Sequence, residues 1–318
     1  MYSLAFGIVV TAILALISLT IGAAEMPLAG LFSGGEQAVQ VLQISRIPRT
    51  LAIMLAGSSL GIAGLVMQMI VRNRFVEPST TGTTESAMLG FLAATLLVPG
   101  WPVMAKMVVA AGFAFMGTLL FLRLLKFVPL REVVLVPLVG IMLAGVIGAV
   151  TSFIAYRFNL LPSVLAWSMG DFSGVLRGRY ELLWLGLACT LVAGLAADRF
   201  TVAGMGREFT TNLGLNYQRL MVMGLAIVSV IAAVCLVSVG AIPFLGLVVP
   251  NVVSLMIGDN MRRAVPWVAV GGAAFVLAGD ILGRLVRYPY EVPISVVVGV
   301  IGSGVFIALL LRRRPNAA

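Results

Sequence analysis

Histidine is absent from this chain, cysteine occurs twice, and charged residues make up only 10% of its 318 positions. The first absence excludes imidazole catalysis and histidine-ligated metal. Cys189 and Cys235 lie far apart inside apolar runs and form no CxxC pair. They read as small apolar core residues, and neither a zinc or haem site nor a structural disulfide is expected. No GxxxxGK[ST] occurs, so the chain has no phosphate-cradling loop, and any ATP must be bound by another chain. HExxH is missing as well. A soluble domain usually carries about 25% charged residues, and this chain falls far below that. Nor does a basic residue precede Arg46. The apolar stretch 4–24 therefore lacks the basic start of a signal peptide and reads as a first spanning helix.

What is present is apolar surface. Apolar residues make up 61% of the chain and the mean hydropathy is +1.11, enough for roughly ten spans of about 20 residues. Apolar runs fall at 4–24, 48–71, 82–99, 103–125, 133–154, 181–198, 218–238, 241–258, 264–284 and 293–311. Most lack the polar stripe of a soluble helix. The expected architecture is an all-α polytopic membrane bundle of about ten helices, one domain over 1–318. The stretch 159–175, interrupted by Pro162, Gly170 and Gly174, is expected to be re-entrant or interfacial. The net charge of +9 is spread singly and in short clusters between the runs. This is the pattern of residues flanking membrane helices, and it argues against nucleic acid as a partner. With both termini placed in the cytoplasm, the 21 basic residues divide thirteen inside to eight outside. That bias supports the orientation, and the outside arginines need a reason of their own.

Acidic residues within the runs are few, and Glu85 and Asp280 fall near run ends. An ion-coupled carrier usually places ionisable relays inside the membrane, so that class is disfavoured. The second run is the most informative. Gly57, Gly61, Gly64 and Gln68 share one helix face, which permits close helix approach and turns Gln68 into the bundle. Ordinary packing and the lining of a path both fit that face. Pro48 suits a first helical turn. Arg46 and Arg49 then sit at the membrane surface, either snorkelling or docking an acidic partner. In the segment 206–214, Gly214 can end a short helix at positive φ and Asn216 can cap the next. Pro243 and Pro250, with Gly240 and Gly246, interrupt the eighth run. Such breaks survive where protein or water satisfies the freed backbone groups.

These features resemble the permeases of the iron-siderophore and cobalamin ABC importers. The Arg46-Ile-Pro-Arg49 stretch with its glycine-rich helix resembles one motif of that family. Leu165-Ala166-Trp167-Ser168-Met169-Gly170, the loop Gly206 to Leu215, Gly240 to Pro250, and Glu291-Val292-Pro293 resemble four more, in the family's order. The resemblance implies ten helices, a second permease (a paralogue or another copy), two ATPase subunits and a periplasmic or lipid-anchored substrate-binding protein. ATP and magnesium would sit on the ATPases, with no cofactor on this chain. It also implies binding-protein docking by Arg46, Arg49 and Arg284. An ATPase coupling loop at Gly206, Arg207, Glu208, Leu213 and Gly214 is implied too. Helix packing or the translocation path would take Gly57, Gly61, Gly64, Gln68, Pro243, Gly246, Pro250 and Asn251.

Some positions depart from the family pattern. Asn251 and Ser254 stand where histidine and arginine are usual, Asn73 is not followed by proline, and Ser295 replaces a glycine. These departures place the chain nearer the catechol-siderophore permeases than the cobalamin ones. The function they imply is passage of a ferric siderophore across a bacterial cytoplasmic membrane, without covalent chemistry. A cobalamin or haem permease of the same family and an ion-coupled carrier are the alternatives. An intramembrane enzyme and a non-transporting scaffold are weaker ones.

Overall fold

The computed structural model describes residues 3–21, 36–127, 135–178 and 180–312. Among them every regular element is a helix. Each apolar run carries at least one, and others lie between the runs: α1 (Leu4–Thr20), α2 (Glu36–Val41), α3 (Ile47–Val71), α4 (Thr83–Leu97), α5 (Val103–Leu125) and α6 (Leu135–Arg157) come first. They are followed by α7 (Leu161–Ser168), α8 (Leu183–Leu195), α9 (Ala197–Gly204), α10 (Arg207–Asn212), α11 (Tyr217–Val239), α12 (Leu245–Ile257), α13 (Met261–Leu285) and α14 (Ile294–Arg312). Among the described residues, five stretches are long and apolar enough to cross a membrane: Val39–Val71, α5, α6, α11 and α13. The α8–α9 pair, bent by 67°, makes a sixth if counted as one span, and α1, α4, α12 and α14 are shorter apolar helices. Within 159–175 the chain forms the short α7 and then irregular backbone. Residues 22–24 of the first run, and Arg131, Arg179, Arg313 and Arg314 of the charge count, lie outside the described residues.

The bundle is built around α3. Its most apolar stretch is 78% buried, against 17% for α6, so α3 is central and α6 peripheral. Helices in lipid gain little from hydrophobic burial against one another, and close backbone approach carries the packing instead. The glycine face of α3 provides it. A Cβ on Gly57 would lie 2.5 Å from the Gly272 carbonyl oxygen of α13, and one on Gly64 would lie 1.9 Å from the Gly246 oxygen of α12. Gly61 sits against Val268 at 3.1 Å on the same measure. α3 also touches α8, α9, α11 and α1, while α4 packs between α5 and α6.

Pro48 does not begin the helix, contrary to the sequence expectation. Helix continues backward from α3 through a π-turn, Leu42–Arg46, into α2. A proline inside a helix lacks the N–H that would bond the carbonyl four residues earlier. That carbonyl, on Ile44, accepts instead from the backbone N–H of Arg177 at 3.0 Å. Pro250 inside α12 is accommodated in the same manner. The Gly246 oxygen it leaves free accepts from Nε2 of Gln68 at 3.3 Å. The buried polar residue on the glycine face thus has its partner, supplied by a proline break on the facing helix.

Candidate functional site

Three places along α3 concentrate polar chemistry. At its start, α1, α3, α13 and the stretch 286–293 meet in an ion network. Arg49 donates through Nη1 to both oxygens of Glu291 (3.1 and 2.8 Å) and through Nη2 to Asp280 at 2.7 Å. The other oxygen of Asp280 accepts from Nη2 of Arg284. Arg284 also donates to the carbonyls of Ser18 (3.0 Å) and Ile21 (2.6 Å) and to the Ser18 hydroxyl (2.6 Å). Arg46 donates to the carbonyls of Leu19 (2.8 Å) and Thr20 (3.1 Å). The last carbonyls of a helix have no partner within it, and cations there also meet the negative end of the helix dipole. Two arginines from elsewhere in the chain thus cap α1. Arg46, Arg49 and Arg284 were expected as exposed surface charges. The structure holds them inside, with Arg46 7% and Arg284 5% exposed.

Part-way along α3, at Gly64, lies the break before α12. The backbone passes from Gly240 at φ 81° through Pro243 to Phe244 at φ 62°, and α12 starts there without a side-chain cap of its own. The cap comes from Glu77, 167 residues away, whose Oε1 accepts from the N–H of Phe244 at 2.8 Å. On its own side, Glu77 is held by the Ser79 hydroxyl (2.5 Å) and by a capping box with Thr80. It is 2% exposed. A cavity of about 20 Å³, room for roughly one water, adjoins it, and Ser79, Cys235 and Gly246 are among its lining residues. Sequence analysis assigned Glu77 no role. An acidic residue between two apolar runs was the available signal.

At the far end of α3 the chain turns sharply. Arg72 takes a left-handed conformation at φ 56°, and the Asn73 carboxamide accepts from the N–H of Phe75 at 2.8 Å. That Asx turn does the work of the proline absent after Asn73. Asn251 bridges the turn to α12, donating to the carbonyls of Arg74 and Leu247 at 2.7 Å each. Arg74 pairs with Asp259. Beside them opens a cavity of about 330 Å³ lined by Gln68, Arg72, Arg74, Pro250, Ser254 and Asp259, among others. Gly206, at φ 115°, abuts the Arg72 guanidinium, and α10 follows at once. Thr210 anchors α10 through its hydroxyl to the carbonyls of Gly206 (2.6 Å) and Val202 (3.1 Å). Gly214 takes φ 75°, and the Asn216 side chain caps α11 by accepting from the N–H of Arg219 at 3.0 Å. Arg207, Glu208, Leu213 and Gly214 stand exposed, with Phe209 and Leu213 offering apolar surface.

The sequence-predicted residues thus fall into separate clusters. Gly57 and Gly61 pack on α13. Gly64, Gln68, Gly246, Pro250 and Asn251 meet at the α3–α12 contact, and Pro243 lies in the break above it. The coupling segment and the arginines stand at opposite ends of α3, whose 25 residues span about 37 Å. Among the described residues no group of histidine, cysteine and carboxylate side chains could hold a metal ion.

The chain is 45% identical over 305 residues to the petrobactin import system permease protein of Bacillus subtilis, covering 96% of each. It is 40% identical over 295 residues to the ferric-anguibactin transport system permease protein of Vibrio anguillarum, covering 93% of this chain and 94% of that one. A solved metal-chelate type ABC transporter in an inward-facing conformation has the same fold. It superimposes with a TM-score of 0.82 at 24% identity, over 97% of this chain and 98% of that one. The profile of the FecCD transport family matches residues 10–312, and the chain belongs to that family.

Proposed function

We propose that the chain, as one membrane domain over 1–318, passes a ferric siderophore of the catechol type across the bacterial cytoplasmic membrane. Both termini would then face the cytoplasm. The reading is carried by the match, over nearly the whole length, to permeases named for petrobactin and anguibactin import. The chain lacks a phosphate loop, so partner ATPases bind ATP and magnesium and drive the change of state. A second permease, either a paralogue or another copy, completes the path. The exposed segment at Arg207, Glu208, Leu213 and Gly214, stiffened at both ends by Gly206 and Asn216, is the ATPase contact. A short capped helix transmits displacement as a rigid lever.

A substrate-binding protein docks on the opposite end, at Arg46, Arg49 and Arg284. Those arginines exchange their internal acceptors for carboxylates of the partner, which sets register and makes association salt-dependent. Gly64, Gln68, Gly246, Pro243, Pro250 and Asn251 form the part of the bundle that rearranges along the path.

The test is uptake of radioiron-loaded catechol siderophore beside labelled cobalamin, in cells with and without the gene. Iron uptake lost on deletion and on ATP depletion, with cobalamin uptake intact, is the expected result. Loss of cobalamin uptake alone would overturn the cargo, and sensitivity to an uncoupler without sensitivity to ATP depletion would overturn the energy source.

A further inference from the structure

We infer that Glu77 is a positioning residue for transport. Its carboxylate pins the broken start of α12 to the turn after α3, so that the starts of α4 and α12 move as one body. The inference rests on the importer reading above.

Neither helix caps itself. The residue before α12, Phe244, gives no side-chain cap, and neither does Gly82 before α4. Glu77 serves both sides at once. It accepts from the Phe244 N–H on one side, and it is tied on the other to Ser79 and Thr80, which lead into α4. An ionised carboxylate is acceptor-only and offers about four lone-pair sites, so one side chain can take donors from two directions. The positive end of the α12 dipole favours that charge.

Static capping alone does not require it. Serine, threonine or asparagine caps a helix start as well, at lower desolvation cost. Glu77 also forms no ion pair among the described residues, unlike Asp280, which two arginines neutralise. A carboxylate buried without a counter-cation is expensive and marks a functional position in a membrane protein. Its placement at the junction of two interrupted helices points to mechanical linkage. The junction has a reporter of its own. The Cys235 thiol, 1% exposed, lines the same cavity as Glu77.

The experiment uses the complete transporter in membranes, with Cys189→Ser leaving Cys235 as the reporter thiol. Glu77→Ala and Glu77→Gln are compared with the parent for amount of protein, ATP hydrolysis, uptake of a radioiron-loaded catecholate and N-ethylmaleimide labelling of Cys235. With Glu77→Ala, uptake is expected to fall and labelling to rise about tenfold, while protein amount and ATP hydrolysis stay within about twofold of the parent. Glu77→Gln keeps one acceptor oxygen and is expected to fall between. Uptake and labelling both within about twofold of the parent in Glu77→Ala would overturn the assignment. So would a loss of uptake that merely follows protein amount or ATP hydrolysis, which is what a purely structural role produces. Failure of the parent to take up any catecholate would defeat the importer reading instead. The Cys235 labelling ratio still decides the pin in that case: a rise supports it and parity sinks it.

Discussion

Replacing Asp280 by alanine should be among the most damaging single changes in the chain. The carboxylate is 4% exposed and bridges Arg49 and Arg284. Arg49 retains Glu291 when Asp280 is lost, whereas Arg284 retains only neutral acceptors on α1. The change therefore breaks about one buried ion pair rather than two. Leaving a buried charge without its partner costs about 3–5 kcal/mol. The Glu291 pair is nearer the surface, at 23% exposure, and Glu291→Gln should cost about 1 kcal/mol. Thermal denaturation in mild detergent, followed by tryptophan fluorescence, separates the two. At about 2–4 °C per kcal/mol, Asp280→Ala should lower the midpoint by on the order of 10 °C and Glu291→Gln by a few degrees. Combining Asp280→Ala with Arg284→Met should restore part of the loss. Removing both charges relieves the buried cation, while the Ser18 and Ile21 carbonyls lose their arginine donor. A loss below about 1 kcal/mol for Asp280→Ala, or equal losses for the two single variants, would refute the network as an energetic unit.

The glycines divide sharply. Gly64→Val should abolish assembly in the membrane, since even a Cβ would lie 1.9 Å from the Gly246 oxygen. Gly148→Ala meets no atom within 4 Å and should be neutral or gain up to about 1 kcal/mol in helix propensity, both read from detergent melting. Asn216→Ala removes the α11 cap, so melting should show a loss of about 0.5–2 kcal/mol. Arg46→Glu combined with Arg49→Glu should impair uptake while the protein still reaches the membrane. A normal uptake assay in that double variant would remove the docking assignment.

That the apolar runs are helical was legible from hydropathy, although among the described residues five stretches, or six with the bent pair, are long and apolar enough to cross a membrane. So was the glycine face of α3, since small residues at a helical period have one structural use in lipid. The caps at Gly214 and Asn216 were local, and local chemistry reads well. What escaped were partners distant in sequence. Arg49 and Asp280 are separated by 231 residues, and nothing near either residue names the other. The arginines were therefore taken for surface groups, because a charge at a run end has water as its default partner. Glu77 escaped for the same reason, its helix being 167 residues away. Pro48 misled differently. Its usual place in a first turn was correct as a preference, and a π-turn with an outside donor overrode it.

The arginine caps on α1 also order events in time. Arg46 lies 26 and 27 residues beyond the carbonyls it takes, whereas Arg284 lies 266 residues beyond Ser18. At roughly 5–20 residues per second, a ribosome reaches Arg284 roughly 13–53 s after Ser18. Arg46 is on hand within seconds and can hold the end of α1 while the rest of the bundle is made. α1 is thus among the last helices to be fully locked. A chain arrested before Arg284 presents to membrane quality control a first helix whose end is only half fastened.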